Sequence, residues 1–184
     1  MNSTQKNKNK NIYLIGFMGS GKSYLGRQLA QLLSWEFLDL DDFLEANEGM
    51  KINRIFAEGG EQLFRDLEKN YLYATIDFTQ TVIATGGGAP CFFDNLEWMN
   101  RHGQTVYLQA STDLLVKRLI NETTHRPLLA GKTLEELQQF IDQKLLYRQS
   151  FYQKAAHIFT YQTGRETGED LLRFLEKGNK RIRG

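Results

Sequence analysis

Short apolar runs alternate with longer amphipathic segments along the chain. Each run is about five residues long and rich in β-branched or aromatic residues, which is typical of buried strands. The longer segments between them carry apolar residues at helical spacing. This rhythm predicts βαβ units around a parallel sheet. The predicted strands are residues 12–16, 36–40, 81–85, 105–109 and 157–161.

Helices are predicted from the first glycine-rich loop to about residue 33 and at 61–77, 111–121, 134–152 and 169–177. Two of these helices have marked beginnings. Ser111 stands just before an apolar pattern, where its hydroxyl can cap the first turn. Thr133 and Glu136 have the spacing of a capping box.

The length of 184 residues, 41% of them hydrophobic, is enough for one well-buried core and short for two. We assign residues 11–178 to a single domain. The polar run that begins the chain continues through Asn11, and residues 1–10 are predicted to be a disordered tail. Residues 179–184 are predicted to be a basic, solvated tail.

Charge and cysteine content limit the possible functions. Lys and Arg number 23 against 22 Asp and Glu, so bulk charge does not favour binding to nucleic acid or to an anionic membrane. We expect neither partner. No signal peptide or membrane-spanning run is evident, and Cys91 is the single cysteine. These features predict a cytoplasmic protein in which Cys91 is an inert small side chain.

Residues 16–23, GFMGSGKS, match the phosphate-binding pattern G-x-x-x-x-G-K-[ST] between a predicted strand and a predicted helix. In such a loop, backbone N–H groups turn towards phosphates and the helix presents its positive end to the same anion. Lys22 would reach the β and γ phosphates, and the Ser23 hydroxyl would bind Mg²⁺. The alternative is a glycine-rich turn with an exposed lysine.

The rest of the chain narrows the class of phosphate-binding protein. The N-K-x-D segment that GTPases use to recognise guanine is missing from the sequence. The strand at 81–85 is followed by Gly86, Gly87 and Gly88 rather than by the acid of a large ATPase. Three consecutive glycines leave this strand end open to close approach.

Acidic residues follow the second predicted strand, and we expect this strand to lie beside the one that precedes the phosphate loop. Asp39 and Asp41 would point to the same side of it. One could hold the water shell of a metal while the other accepts a proton from an attacking hydroxyl. The alternative is that these acids cap a helix beginning near Phe43, a role for which Asp42 is best placed.

Arg65 and Glu68 are three residues apart on a predicted helix and therefore share one face. The acid could hold the guanidinium in one rotamer. An exposed ion pair of little energetic value is the alternative.

Six segments, in their order and spacing, resemble shikimate kinases. They are GSGKS at 19–23, FLDLD at 37–41, IFAEGGE at 55–61 running into FR at 64–65 and Glu68, GGGA at 86–89, RPLL at 126–129 and YR at 147–148. The resemblance implies an α/β/α fold of the nucleoside monophosphate kinase type, with a five-stranded parallel sheet and a mobile lid at about 121–132. It also implies transfer of the ATP γ-phosphate to the 3-hydroxyl of shikimate, a step of chorismate and aromatic amino-acid biosynthesis, by a monomer.

The resemblance also implies roles for individual residues on the nucleotide side. Ser23 and Asp39 would bind Mg²⁺. Lys22 and Arg126 would be catalytic, with Arg126 reaching the transferring phosphoryl group from the lid. The implied ATP-binding residues are Gly19, Ser20, Gly21, Lys22, Ser23, Tyr24, Arg126 and Arg165.

On the acceptor side, Asp41 would contact shikimate hydroxyls and act as the base. Arg65 and Arg148 would bind the shikimate carboxylate, because guanidinium groups form directional, charge-assisted bonds to carboxylates. Gly86, Gly87 and Gly88 would line the acceptor ring.

The sequence departs from the family pattern near the adenine, where Arg118 or Leu119 and a later segment with Thr167 in place of a common proline are expected. Two rival functions remain open. One is a kinase for another polyol acid such as gluconate, and the other is a binding or regulatory protein without turnover. A solvated loop residue is the alternative for Arg126.

Overall fold

A central parallel sheet organises the chain. The computed structural model describes residues 11–120, 129 and 131–178. In that part of the chain, five strands form one all-parallel sheet. They are β1 (Asn11–Ile15), β2 (Glu36–Asp39), β3 (Thr81–Ala84), β4 (Gly103–Gln109) and β5 (His157–Thr160). Every strand begins and ends within two residues of its predicted bounds.

The strand order is β2-β3-β1-β4-β5, so β3 lies between β1 and β2. Val82 of β3 pairs with Ile12 on one side and with Phe37 on the other. The expectation that β2 lies beside β1 is therefore wrong. β2 is a partly exposed edge strand with Glu36 and Asp39 among its four residues, and nothing in this sequence indicates which strand it pairs with.

The described residues form seven α-helices. They are α1 (Lys22–Leu33), α2 (Leu40–Glu48), α3 (Ile52–Ala74), α4 (Asn95–His102), α5 (Thr112–Leu119), α6 (Leu134–Tyr152) and α7 (Gly168–Gly178). Ser111 caps α5, and Thr133 and Glu136 form the predicted capping box of α6.

Three helical features differ from the predictions. α2 begins at Leu40 rather than near Phe43, and its N-cap is Asp39 rather than Asp42. α3 begins nine residues before the predicted position, and a non-helical residue, Gly60, kinks it. α4 was not predicted, because its buried apolar residues, Leu96, Trp98 and Met99, span a single turn and show no helical period.

Both faces of the sheet are covered, which gives the three-layer α/β/α architecture expected from the sequence. Ile12 and Leu14 of β1 pack with α1 and α7 on one face. Tyr13 and Ile15 point to the other face and pack with residues of α3, α4 and α6. The alternation follows from the two-residue period of a strand. The fold is of the nucleoside monophosphate kinase type, as predicted.

Asn11, the last residue of the polar run, begins β1 and is buried. Its amide donates to the carbonyl oxygens of Thr75 and Phe78, and its Oδ1 accepts from the Thr81 amide. Among the described residues, no helix is both long and apolar enough to span a bilayer. The predicted tails at 1–10 and 179–184, and Arg126 with most of the predicted lid, lie outside the described residues.

Candidate active site

A cleft of about 620 Å³ opens at the edge of the sheet where the parallel strands end. Ligand sites of open parallel sheets lie at this edge. The wall of the cleft combines the glycine-rich loop with charged residues from several elements. Its lining residues are Met18, Gly19, Gly21, Lys22, Ser23, Tyr24, Asp39, Asp41, Asp42, Thr85, Gly86, Gly87, Lys117 and Arg118.

The glycine-rich loop connects β1 to α1 and brings the beginning of that helix to the cleft. Gly21 is the N-cap of α1 and makes no side-chain cap, so the first amides of the helix are open to an anionic ligand. The Lys22 ammonium donates to the carbonyl oxygens of Gly16 and Phe17 at 2.9 and 3.0 Å. These contacts hold the cationic end of Lys22 over the loop.

Asp39 connects the beginnings of two helices. The Ser23 hydroxyl of α1 donates to Asp39 Oδ2 at 2.6 Å, and Asp39 Oδ1 accepts from the Asp41 amide at 3.2 Å. The carboxylate therefore caps α2, and it also meets the hydroxyl that the phosphate-loop pattern assigns to a metal. The capping and metal-binding interpretations of these acids are compatible.

The donor set suits Mg²⁺, which prefers oxygen ligands and usually takes only one or two from the protein. Ser23 Oγ and Asp39 Oδ2 are such a pair of oxygens and lie together in the cleft. Across residues 11–120, 129 and 131–178, no group of three His, Cys, Asp or Glu side chains could form an all-protein metal cage. The site fits a metal that keeps water and phosphate oxygens as its remaining ligands.

Four charged side chains pack directly against the three glycines that follow β3. A β-carbon at Gly86 would collide with Glu68 Oε1 and approach Asp41 Oδ1 to 3.2 Å. At Gly87 it would lie 3.4 Å from an Arg148 guanidinium nitrogen, and at Gly88 it would lie 2.8 Å from one of Arg65. The glycines thus bring together, at one strand end, all of the described charged residues predicted for the acceptor side.

The predicted Arg65–Glu68 contact is present, with Arg65 Nη1 2.6 Å from Glu68 Oε2. The pair is buried, since the side chains of Arg65 and Glu68 are 10% and 1% exposed, so the alternative of an exposed surface pair is wrong. The Arg65 guanidinium also contacts Glu61 at 3.2 Å and lies 4.2 Å from the centre of the Phe92 ring. These contacts fix the orientation of the guanidinium.

Asp41 and Glu68 each carry a buried carboxylate oxygen, Oδ1 and Oε1, without a hydrogen-bond partner in the described part of the chain. Burial, with Asp39 nearby, raises the pKa of Asp41 to about 6. Burial raises the pKa of Glu68 to about 7, although the positive charge of Arg65 opposes the shift. Both unpartnered oxygens face Gly86, so unfilled hydrogen-bonding capacity lies beside this glycine.

Tyr152 and Phe17 also shape the acceptor side, and the sequence did not identify them as site residues. The Tyr152 hydroxyl donates to the Gly87 carbonyl oxygen at 2.5 Å, and the Arg148 guanidinium lies over the Phe17 ring. Tyr152 is four residues after Arg148 on α6. That spacing places both on one helix face and could have identified Tyr152.

The sequence left Arg118 and Leu119 as alternatives for the residue near the adenine, and the two differ in their position relative to the cleft. Leu119 is fully buried beneath Gly19, whereas Arg118 lines the cleft. Tyr24 also lines the cleft and is exposed. Arg165 is exposed in the segment between β5 and α7.

The raised pKa of Glu68 predicts a specific dependence of stability on pH. A carboxyl group whose pKa is near 4.5 in the unfolded chain and about 7 in the folded protein stabilises the fold below pH 4.5. This contribution is lost as the pH rises through about 7. We therefore expect the unfolding free energy of Glu68→Gln, from urea titrations at pH 5 and pH 8, to decrease less over this interval than that of the parent chain. Equal decreases would contradict the assignment, and Glu97→Gln, an exposed site on α4, is the control.

Comparison with known proteins gives one consistent result. A shikimate kinase family model matches residues 18–178. The shikimate kinase of Parabacteroides distasonis is 46% identical over 150 residues, which cover 82% of this chain and 87% of the relative.

Two solved structures share the fold at substantial identity. The shikimate kinase of Bacteroides thetaiotaomicron superposes with a TM-score of 0.85 at 42% identity, covering 92% of this chain and 97% of that one. The shikimate kinase of Acinetobacter baumannii, solved in complex with shikimate, gives a TM-score of 0.80 at 37% identity, covering 91% and 92%. The phosphate-binding loop, the triple glycine and this similarity along most of the chain lead to one conclusion: the chain belongs to the shikimate kinase family.

Proposed function

We propose that residues of the cleft divide the phosphorylation of shikimate between a nucleotide side and an acceptor side. As a shikimate kinase, the chain phosphorylates shikimate with ATP in aromatic biosynthesis. The observation that best supports this division is the packing of Asp41, Arg65 and Arg148 on the glycines after β3, a strand adjacent to the one that leads into the phosphate-binding loop. This arrangement brings carboxylate-binding and hydroxyl-binding groups close to the phosphate loop.

On the nucleotide side, Gly19, Ser20, Gly21 and the beginning of α1 surround the phosphates, with the Gly21 amide and the first amides of the helix as donors, and Lys22 contacts the β and γ groups. Ser23 and Asp39 hold Mg²⁺, which neutralises phosphate charge when it is bound. Tyr24 and Arg165 complete the ATP-binding residues. Arg126, proposed from the sequence alone, supplies positive charge to the transferring phosphoryl group.

On the acceptor side, Arg65 and Arg148 bind the shikimate carboxylate, and the backbone of residues 86–88 lines the ring. The 3-hydroxyl oxygen forms a bond to the γ-phosphorus while the bond from that phosphorus to the β–γ bridging oxygen breaks. The hydroxyl proton passes to the Asp41 carboxylate, and ADP and shikimate 3-phosphate are the products. Asp41 suits this role because one of its oxygens has no hydrogen-bond partner among the described residues.

We further propose that the enzyme is monomeric and acts in the cytoplasm. The residues proposed for both sides of the cleft come from this one chain, which is compatible with a monomer. The near balance of 23 basic and 22 acidic residues offers no bulk charge for nucleic acid or a membrane surface.

The acceptor is tested directly by coupled measurement of ADP release with shikimate, with gluconate and without an acceptor. We expect ADP release that depends on shikimate and stays at the background level with gluconate. The two guanidinium groups and Asp41 are proposed to fit a carboxylate and hydroxyls that a ring holds at a fixed separation, and gluconate is an open chain. Release that is the same with and without any acceptor would contradict the proposal. Equal release with gluconate would contradict the choice of acceptor.

Ser23→Ala and Asp39→Ala each remove one proposed Mg²⁺ ligand. We expect both variants to turn over more slowly and to need a higher Mg²⁺ concentration for half-maximal rate, because the ion loses one of only two protein oxygens. The measurement is a Mg²⁺ titration at saturating ATP and shikimate. Ser150→Ala and Asp66→Ala, at exposed sites, are the controls, and four identical Mg²⁺ dependences would exclude the assignment.

Arg148 and Arg126 are expected to differ in kinetic signature. Arg148 binds a charge already present in shikimate, so Arg148→Ala should raise the KM for shikimate by about 10- to 100-fold with a smaller effect on kcat. Arg126 binds charge that develops during transfer, so Arg126→Ala should lower kcat by about 10³-fold. Arg65→Ala should resemble Arg148→Ala.

Steady-state kinetics with shikimate and ATP varied in turn separate these roles, after circular dichroism shows that each variant is folded. Arg173→Ala, on the exposed surface of α7, is the control. An unchanged KM for shikimate in Arg148→Ala, together with a raised one in Arg126→Ala, would show that the acceptor site is placed wrongly.

A further inference from the structure

The outer side of the phosphate-binding loop is tied to two residues that are distant in sequence. The Tyr161 hydroxyl, just after β5, donates to the Ser20 carbonyl oxygen at 2.5 Å. The Arg118 guanidinium donates to the Gly19 carbonyl oxygen at 3.1 Å and, through its other terminal nitrogen, to that of Gly164 at 3.0 Å. Arg118 also lies 4.7 Å from the centre of the Tyr161 ring. The two side chains therefore form one unit against the loop.

These bonds act on two successive peptide groups of the loop. A peptide group is planar and trans, so its carbonyl oxygen and the next N–H point in opposite directions. The Gly19–Ser20 peptide is held at both ends, because the Ser20 amide also donates to the Phe17 carbonyl oxygen at 3.1 Å. The Ser20–Gly21 peptide has its oxygen fixed by Tyr161, which directs the Gly21 amide away from Tyr161.

Gly21 cannot hold this orientation by itself. Its φ of 93° lies in the left-handed region, and a glycine also adopts the opposite sign of φ at little cost. Rotation of the Ser20–Gly21 peptide would turn the amide away from a bound phosphate. A β-carbon at Gly21 would lie 2.9 Å from the Tyr161 hydroxyl oxygen, so the same close approach that fixes the peptide also requires a glycine there.

The Tyr161 hydroxyl remains a hydrogen-bond donor throughout the neutral range. Burial raises its pKa above the ordinary value, and the positive charge of Arg118 lowers it by less. The hydroxyl can therefore donate to the Ser20 carbonyl oxygen across the neutral pH range.

We propose that Tyr161 and Arg118 are positioning residues for the polyphosphate of the nucleotide, acting through the Gly19 and Ser20 carbonyl groups. This inference rests on the proposed function only in taking ATP as the donor. It requires that the two residues matter for any ligand with a triphosphate, whether or not that ligand carries a base.

The decisive variant is Tyr161→Phe, which removes one hydroxyl and keeps the ring beneath Arg118. Calorimetric titration with Mg²⁺-ATP and with Mg²⁺-tripolyphosphate, which has no base or sugar, measures the effect. We expect both ligands to bind about 3- to 10-fold more weakly, by the same factor, as for the loss of one hydrogen bond. The KM for ATP should rise by that factor while the KM for shikimate stays constant.

The matched control is Tyr13→Phe. The Tyr13 hydroxyl also makes a buried hydrogen bond, 2.9 Å to Thr75 Oγ1, but near the beginning of β1 and so away from the loop. We expect this variant to lose similar stability to urea and to bind both ligands like the parent chain. Arg118→Lys tests the second residue at constant charge, because one ammonium nitrogen replaces the two guanidinium nitrogens that bond the Gly19 and Gly164 carbonyl oxygens. It should weaken tripolyphosphate as well as ATP, and unchanged binding of tripolyphosphate would show that Arg118 serves the base alone.

Three results would overturn the inference. One is that Tyr161→Phe weakens ATP but not tripolyphosphate, which would place Tyr161 at the base. Another is that Tyr161→Phe and Tyr13→Phe weaken the binding of both ligands equally, which would show that the effect comes from a general loss of stability. The third is unchanged binding of both ligands. Failure of the proposed function is seen separately, as absence of shikimate-dependent ADP release in the parent chain that still binds tripolyphosphate.

Discussion

The absence of side chains at residues 86–88 is the constraint on which the acceptor side depends. Side chains from three helices, Asp41, Arg65, Glu68 and Arg148, approach this strand end closely, and a β-carbon at Gly86 or at Gly88 would displace Glu68 or Arg65. Here the space is filled by charged groups that the rest of the chain supplies, and the position of β3 beside β1 brings them next to the phosphate-binding loop.

Burying these charges is costly unless each is paired, and the pairing is uneven. Arg65 is well satisfied by Glu68, Glu61 and the face of Phe92. Glu68 and Asp41 each keep one oxygen without a protein partner, and the cost is expressed in the raised pKa of both groups. Unfilled hydrogen-bonding capacity is therefore concentrated beside Gly86, while the Arg65 guanidinium next to it is held in one orientation.

Much of the fold could be predicted from the sequence because its signals are local. Each strand was predicted from a short run rich in apolar residues, and the phosphate-binding loop shows the complete local pattern in residues 16–23. The strand order could not be predicted, because nothing in β2 distinguishes β3 from β1 as a neighbour. α4 was missed since its buried residues, Leu96, Trp98 and Met99, span a single turn.

The candidate site was less predictable where it depends on distant contacts. Asp39 and Asp41 were predicted from their positions after a strand, whereas the role of Arg148 was implied only by the resemblance to shikimate kinases. The burial of Glu68 could not be predicted from its helical spacing, which is equally typical of a surface pair. The bond from Tyr161 to Ser20 joins residues 141 positions apart, and no pattern near either residue indicates it.

Asp39 gives the two sides of the cleft a common anchoring point. One oxygen of its carboxylate accepts from Ser23 in the first turn of α1, and the other accepts from the first turn of α2, which carries Asp41. The link is a single short side chain with little freedom to lengthen. If α2 moves relative to the phosphate-binding loop, it must rotate about Asp39 or break the bond between Asp39 and Ser23. The separation of Asp41 from the phosphate-binding loop therefore depends on the geometry of this one carboxylate.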